Sequence, residues 1–206
     1  RSGRLQKKWI WYELPFFRSI PQELNQSQSV NGTTTHLRRA VHRQMVSDVP
    51  LGAFLSGGLD SSAVVAFARE QNSNIHCFTI ESTGGQEAGM ADDLPYARRV
   101  AKHLDVPLDV VTIDSARMAN DLKRMVEQLD EPLSDPASLN VLYISQLARE
   151  HGIKVLLSGA GGDDLFTGYR RHQAVQLERL WDWLPRSIRA GIGHVTKGLD
   201  VRKPFL

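Results

Sequence analysis

The chain has 206 residues, 41% of them hydrophobic and 23% charged, the balance of a soluble globular protein with enough length to close a full core. Its formal net charge of +2 is too small to build a field that draws nucleic acid, and no apolar run approaches the roughly 20 residues that span a bilayer, so neither nucleic acid nor membrane is an expected partner. The lone cysteine, Cys77, excludes an internal disulfide framework and a thiolate zinc site and fits a cytoplasmic protein.

In chain order, KKWIWYELP alternates ahead of Pro15 and Pro21 and predicts a short edge strand and a loop. Gln22 to Thr33, rich in Gln, Asn and Ser, has the composition of a flexible link. Thr34 or Thr35 then caps a helix with Leu37, Ala40, Val41 and Met45 on one face and Arg38, Arg39 and Arg43 largely outside. Asp48 and Pro50 stop it.

Strand and helix signals alternate from there: a strand Leu51 to Leu55, a helix Ser62 to Glu70, a strand Ile75 to Ile80 and a helix Asp93 to Leu104. A strand Leu108 to Ile113, a helix Ala116 to Leu129, a loop punctuated by Pro132 and Pro136, a helix Leu139 to His151 and a strand Lys154 to Leu157 follow. Strands separated by helices require crossovers and a parallel sheet covered on both faces. The fold class is therefore α/β, a doubly wound parallel sheet with helices on both faces and a helical C-terminal extension. Three regions are expected: a strand and linker over 1–33, the α/β domain over 34–171, and the start of a truncated helical region over 172–206. The Arg1 start and the VRKPFL end read as those of a piece of something longer.

Ligands of open α/β sheets sit at the carboxyl ends of strands, and two glycine loops fall there. In SGGLDSS, Gly57 and Gly58 let the backbone take positive φ and approach an anion. Ser56, Ser61 and Ser62 add hydroxyls, and the following helix turns its free N–H groups to the same point. Asp60 would repel a phosphate unless a cation lay between them, which makes it a candidate magnesium ligand; the simpler reading is a helix cap. No Gly-Lys-Ser/Thr follows the glycines, so the loop is not of the Walker type. The second loop, LLSGAGGDDLFTGY, repeats the grammar of Ser, glycines and acid, and would bring Asp163 to the same crevice as Asp60.

SGGLDSS resembles the pyrophosphate-binding loop of the N-type ATP pyrophosphatases, a group that includes asparagine, GMP and NAD synthetases and tRNA-modifying enzymes. LLSGAGGDDLFTGY resembles the SGEGxDExFGGY signature of asparagine synthetases, and DEPLSDPASLNVLYISQLAREHGIKVLL is similar to the segment that precedes it. The likeness runs from about Val41 to Arg171. It implies an adenine-nucleotide α-hydrolase type of fold in which Leu55, Ser56, Gly57, Gly58, Leu59, Asp60, Ser61, Ser62, Ile80, Ser158 and Gly159 contact ATP, while Asp60 and Asp163 share Mg²⁺ and pyrophosphate. It also implies the reaction: a carboxylate, usually the β-carboxylate of aspartate, attacks the α-phosphorus, pyrophosphate leaves, and ammonia converts the acyl-adenylate to an amide. Ammonia comes from glutamine through a glutaminase domain with a leading cysteine, which this chain lacks, so that partner is expected elsewhere in a longer protein or in trans.

The chain departs from the family pattern at Ala160, where the family has Glu, at Asp164 in place of another Glu, and at Thr167 in place of Gly. A related enzyme amidating a sugar acid or another carboxylate, or forming a lactam, is the alternative, and a non-catalytic nucleotide-binding remnant is another. The downstream family lysine has no counterpart that the sequence identifies, and VRKPFL is read as a chance likeness to a later motif. Cys77 reads as strand packing, and the seven histidines, lacking metal spacing, read as surface or core fillers. Glu81 to Asp93 reads as an ordinary loop or a flap over the nucleotide. Trp181 and Trp183 read as packing on a neighbouring domain, and Arg170 and Arg171 as a solvated helix start.

Overall fold

The protein is described by a computed structural model covering residues 7–12, 24–83, 93–131, 133, 135, 137–166, 168, 169 and 172. It divides into two units, Arg1–His36 and Leu37–Leu206. In the first, residues 7–12 form no strand and expose Trp9, Ile10 and Trp11, so the edge strand expected there is absent from these residues: an alternating segment is held as a strand only by a neighbour to pair with. The flexible link is corrected too. Helix α1 spans Gln26–Gln44 and starts well before Thr34, because Asn25 Oδ1 accepts from Gln28 N at 2.9 Å and Gln28 Oε1 accepts from Asn25 N at 3.0 Å. This reciprocal capping box satisfies two end groups of the helix at once.

In the second unit, α1 ends and is followed by β1 (Leu51–Phe54), α2 (Leu59–Arg69), β2 (His76–Thr83), α3 (Leu94–Leu104), β3 (Leu108–Asp114), α4 (Ser115–Gln128), α5 (Ala137–Glu150), β4 (Val155–Leu157) and a short α6 (Gly162–Phe166). The four strands form one sheet in the order β3-β2-β1-β4, every pair parallel, with Ala53 opposite both Cys77 and Leu157. From β1 the chain steps outward to β2 and β3, then returns to the other side of β1 as β4, so the topological switch point lies between β1 and β4.

Side chains alternate across the sheet as a period of two requires. Ala53, Leu55, Cys77 and Leu157 face Val41 of α1, Val65 and Ala68 of α2, and Ala97 and Ala101 of α3. Phe54, Phe78 and Leu156 face Ile144 and Ala148 of α5, while Val111 and Ile113 face Met125 of α4 and Leu139 and Tyr143 of α5. The sheet is doubly wound, with the part of α1 from Leu37 onward, α2 and α3 on one face and α4 and α5 on the other. Ala40, expected on the core stripe of α1, is exposed; Arg38, expected outside, lies over the Phe67 ring at 4.9 Å and bonds Glu70 at 3.1 Å.

Asp114 caps α4 by accepting from Arg117 N at 2.7 Å. Cys77 is fully buried, and burial pushes its thiol from 9.0 up to about 12, which fits packing rather than nucleophilic chemistry. No helix among the described residues is long and apolar enough to cross a membrane. Residues 84–92 of the proposed flap, Arg170, Arg171, Trp181, Trp183, VRKPFL and, His172 apart, the C-terminal extension lie outside the described residues.

Candidate functional site

The loop after β1 and the loop after β4 leave adjacent parallel strands at their carboxyl ends, on the two sides of the switch point. They pack directly on each other. A β-carbon placed on Gly159 would lie 2.7 Å from Ser61 N and 2.8 Å from the Asp60 carbonyl carbon, closer than real β-carbons approach backbone. One placed on Gly162 would collide with the Asp60 carboxylate, and one on Gly168 with the Asp163 carboxylate. Glycines of the second loop therefore make room for the backbone of the first loop and for both acids.

Between the loops and α5 lies a cavity of about 550 Å³, within the usual range for small-molecule sites. Ser56, Gly58, Leu59, Asp60 and Ser61 line it from the first loop, Ser158, Gly159, Ala160 and Asp163 from the second, and Asn140, Val141 and Ile144 from α5. Eight sequence-identified residues thus meet: Ser56, Gly58, Leu59, Asp60, Ser61, Ser158, Gly159 and Asp163. Asn140 and Phe166 also line the cavity and were missed; nothing in their local sequence marks them, since only the position of α5 and α6 over the strand ends brings them there.

The other four expected contacts do not line this cavity. Leu55 is 1% exposed in the core, its N–H donating to Phe78 O at 2.9 Å. Ser62 donates its hydroxyl back to Gly58 O at 2.6 Å. Ile80 is not at a strand end, because β2 continues to Thr83; its side chain packs toward α4 and α5. Gly57 takes φ +80°, but a β-carbon there would strike the backbone of Tyr96 and Ala97, so its freedom serves the close approach of α3. Gly58 has φ −67° and ψ 164°, extended geometry that needs no glycine, which corrects the expectation of two positive-φ glycines.

Helix α2 begins at Leu59, three residues earlier than expected, so Asp60 and Ser61 lie in its first turn. Its N-cap is Gly58, with no side-chain cap hydrogen bond, and Asp60 is therefore not the cap. The end of α2 keeps its positive dipole facing the cavity, where anionic groups are favoured. Ser56 Oγ accepts from Gly58 N at 3.3 Å and lies 3.0 Å from Ser61 Oγ, and Ser158 Oγ accepts from Ala160 N at 3.1 Å, so both loops are braced by their own serines. Ser61 donates its hydroxyl to Gly58 O at 3.2 Å, so Ser56 is the donor in the Ser56–Ser61 pair, and Ser158 keeps its hydroxyl proton to donate.

Two carboxylates on a cavity otherwise lined by hydroxyls, the Asn140 amide, backbone and apolar groups suit a hard divalent cation, which uses one or two carboxylates and completes its shell with water or phosphate oxygens. Asp60 and Asp163 are both half-buried, within reach of water and ligand. An anion of several charges, held by such an ion and by the α2 terminus, is the ligand class this arrangement can take.

The family model for asparagine synthase matches residues 33–204. A putative glutamine-hydrolyzing asparagine synthetase of Mycobacterium tuberculosis is 36% identical over 201 residues, covering 97% of this chain and 30% of that protein. Glutamine-hydrolyzing asparagine synthetase 1 of Bacillus subtilis is 29% identical over 175 residues, covering 85% of this chain and 27% of its own length. Among solved structures, the U34-tRNA thiolase NcsA of Methanococcus maripaludis, with its [4Fe-4S] cluster, aligns at 17% identity and a TM-score of 0.48, covering 80% of this chain and 56% of that one. The chain spans about 30% of the length of these curated relatives. With the family model matched over most of its length, from ahead of β1 to beyond α6, this chain belongs to the asparagine synthase family.

Proposed function

We propose that the cavity between the two loops binds the polyphosphate of ATP, and that the protein uses it to activate a carboxylate, the β-carboxylate of aspartate, for amidation. The observation that carries this reading is the contact of Gly159 with Asp60 and Ser61, which joins two serine- and glycine-bearing loops at the switch point of a parallel sheet. Ser158 and amides of the first α2 turn donate to phosphate oxygens, and Ser56 and Ser61 join them by turning their hydroxyls away from Ser61 Oγ and Gly58 O. Each such bond to a charged group contributes about 1.5–3 kcal/mol net. Asp60 and Asp163 hold Mg²⁺, which when bound neutralises phosphate charge.

A carboxylate oxygen then forms a bond to the α-phosphorus, the bond to the bridging oxygen breaks, and pyrophosphate leaves with its electron pair. Ammonia attacks the acyl carbon of the resulting adenylate, AMP departs, and the ammonium proton passes to solvent. The chain's own residues supply positioning and charge complementarity. Since the relatives are more than three times as long, the ammonia-supplying glutaminase domain is proposed as a partner from the rest of a longer protein or in trans.

The test is titration of the chain with Mg-ATP by calorimetry, followed by exchange of labelled pyrophosphate into ATP with and without aspartate. Saturable Mg-ATP binding and aspartate-dependent exchange are the expected results. A folded chain that binds no Mg-ATP would sink the reading. A second acceptor class is favoured by one feature: Ala160 lines the cavity and offers a methyl group where the family resemblance implies a carboxylate. Exchange that ignores aspartate but responds to a sugar acid or another carboxylate would assign that alternative; binding without any exchange would leave a nucleotide-binding remnant.

A further inference from the structure

At the opposite, amino end of the sheet, three side chains converge that play no part in the cavity. His76 is the first residue of β2, Asp109 the second of β3, and His151 directly follows α5. His76 Nε2 lies 2.5 Å and His151 Nε2 2.9 Å from the same oxygen, Asp109 Oδ2, and all three atoms fall within 4.8 Å of one another. From the sequence these histidines read as surface or core fillers; the fold brings both of them to one carboxylate.

The rings are oriented by their surroundings. His76 stacks on Phe78, with centroids 4.7 Å apart and planes 13° from parallel, and His151 sets its edge against both rings. His151 Nδ1 faces Leu147 O at 2.9 Å. A carbonyl only accepts, so Nδ1 carries the proton. In a neutral ring Nε2 is then a lone pair aimed at a carboxylate, an arrangement that calls for a cation between them. A proton can fill that place, and so can a metal ion. An imidazole that anchors its far N–H on a backbone carbonyl is the usual state of a metal-ligating histidine.

We propose that His76 Nε2, His151 Nε2 and Asp109 Oδ2 form a zinc site. Two imidazoles and a carboxylate are ligands that zinc takes and magnesium does not favour. Tetrahedral zinc, with bonds of about 2.0–2.2 Å, spaces its ligands about 3.3 Å apart, so admission of the ion requires these partly exposed side chains to open by less than ~1 Å. Three protein ligands leave one position for water. The ion would tie β2, β3 and the end of α5 together on the side of the sheet away from the nucleotide cavity.

The test is zinc titration of the full 206-residue chain by calorimetry, together with cobalt substitution read by the visible bands of tetrahedral cobalt. One equivalent should bind, and it should raise the melting temperature, as any ligand of the folded state alone does. Asp109→Asn and His151→Gln should each weaken binding by at least tenfold, while Asp60→Asn leaves it unchanged. Because a variant could misfold, the unmodified chain is also followed by NMR of its seven histidines; zinc should move the ring signals of His76 and His151 ahead of the others. Failure of the folded chain to bind zinc, binding that survives both substitutions, or shifts confined to other histidines would overturn the site.

Discussion

Gly159 lies so close to Asp60 that a single added methyl group would stand 2.8 Å from the Asp60 carbonyl carbon. The obstruction is main chain, which no side-chain rotation relieves. The two halves of the cavity are therefore held together by the absence of a β-carbon, and the separation of Asp60 from the second loop is set by backbone contact.

Gly159→Ala should force the loops apart. We expect a stability loss of about 1–3 kcal/mol, the ordinary cost of overpacking, and a fall in Mg-ATP affinity of about tenfold or more, equivalent to at least ~1.4 kcal/mol. Calorimetric titration beside a thermal melt separates the two effects. Unchanged affinity would show that the loops do not act as one site.

Asp60→Asn removes a charge without changing shape. Because Asp60 is not a cap and lies half-buried on the cavity wall, the melting temperature should stay within a few degrees, while magnesium-dependent ATP binding weakens by about tenfold or more, ~1.4 kcal/mol. Identical titrations of both proteins would take Asp60 out of the metal role.

Much of this was legible in the chain itself, for definable reasons. The apolar runs around Ala53, Cys77 and Leu156 announce strands because both faces of a parallel sheet are covered, and SGGLDSS marks a strand-to-helix turn by its glycines. Ile80 misled because β2 continues through Glu81, Ser82 and Thr83, polar residues held as strand by pairing with Thr112, Ile113 and Asp114 of β3. The start of α1 was hidden because Asn25 and Gln28 cap it from within a polar stretch that otherwise reads as link. His76 and Asp109 stand 33 residues apart, and no spacing rule joins ligands carried by two strands and a helix end.

Cys77 offers a pH test. Burial pushes its thiol up from the ordinary 9.0 to about 12. Above pH ~9 the unfolded chain therefore binds fewer protons than the folded one, so stability is retained below that pH and declines as pH rises toward 12. Denaturant melts of the parent and Cys77→Ala should diverge in pH dependence over that window. At pH 8 an alkylating reagent should label Cys77 only as fast as the core opens; labelling of the native chain at the rate of a free thiol would contradict its burial.

Tyr143 donates to Asp121 Oδ2 at 2.8 Å and also reaches Arg117 O at 3.2 Å, tying α5 to α4. Its phenol is raised above 10.0, by burial first and by the Asp121 bond second. Tyr143→Phe keeps the ring and should cost about 1.5–3 kcal/mol, the range for a hydrogen bond to a charged group, measured by urea denaturation. A neutral result would show that water serves Asp121 equally well.

Asn25→Ala breaks the capping box of α1 and should cost about 0.5–2 kcal/mol locally. Hydrogen exchange at the Gln28 amide reports it directly, since that amide loses the Asn25 acceptor. Unaltered protection there would rule the box out as the reason the helix begins at Gln26.

The strand order has a consequence for biogenesis. Asp60 and Gly159 touch although roughly a hundred residues separate them, the kind of distant pairing that slows folding. At ribosomal rates of about 5–20 residues per second, the first loop emerges roughly 5–20 s before its counterpart. Until β4 docks, nascent β1 has an open edge, and that interval is when a chaperone, or an aggregate, would find it.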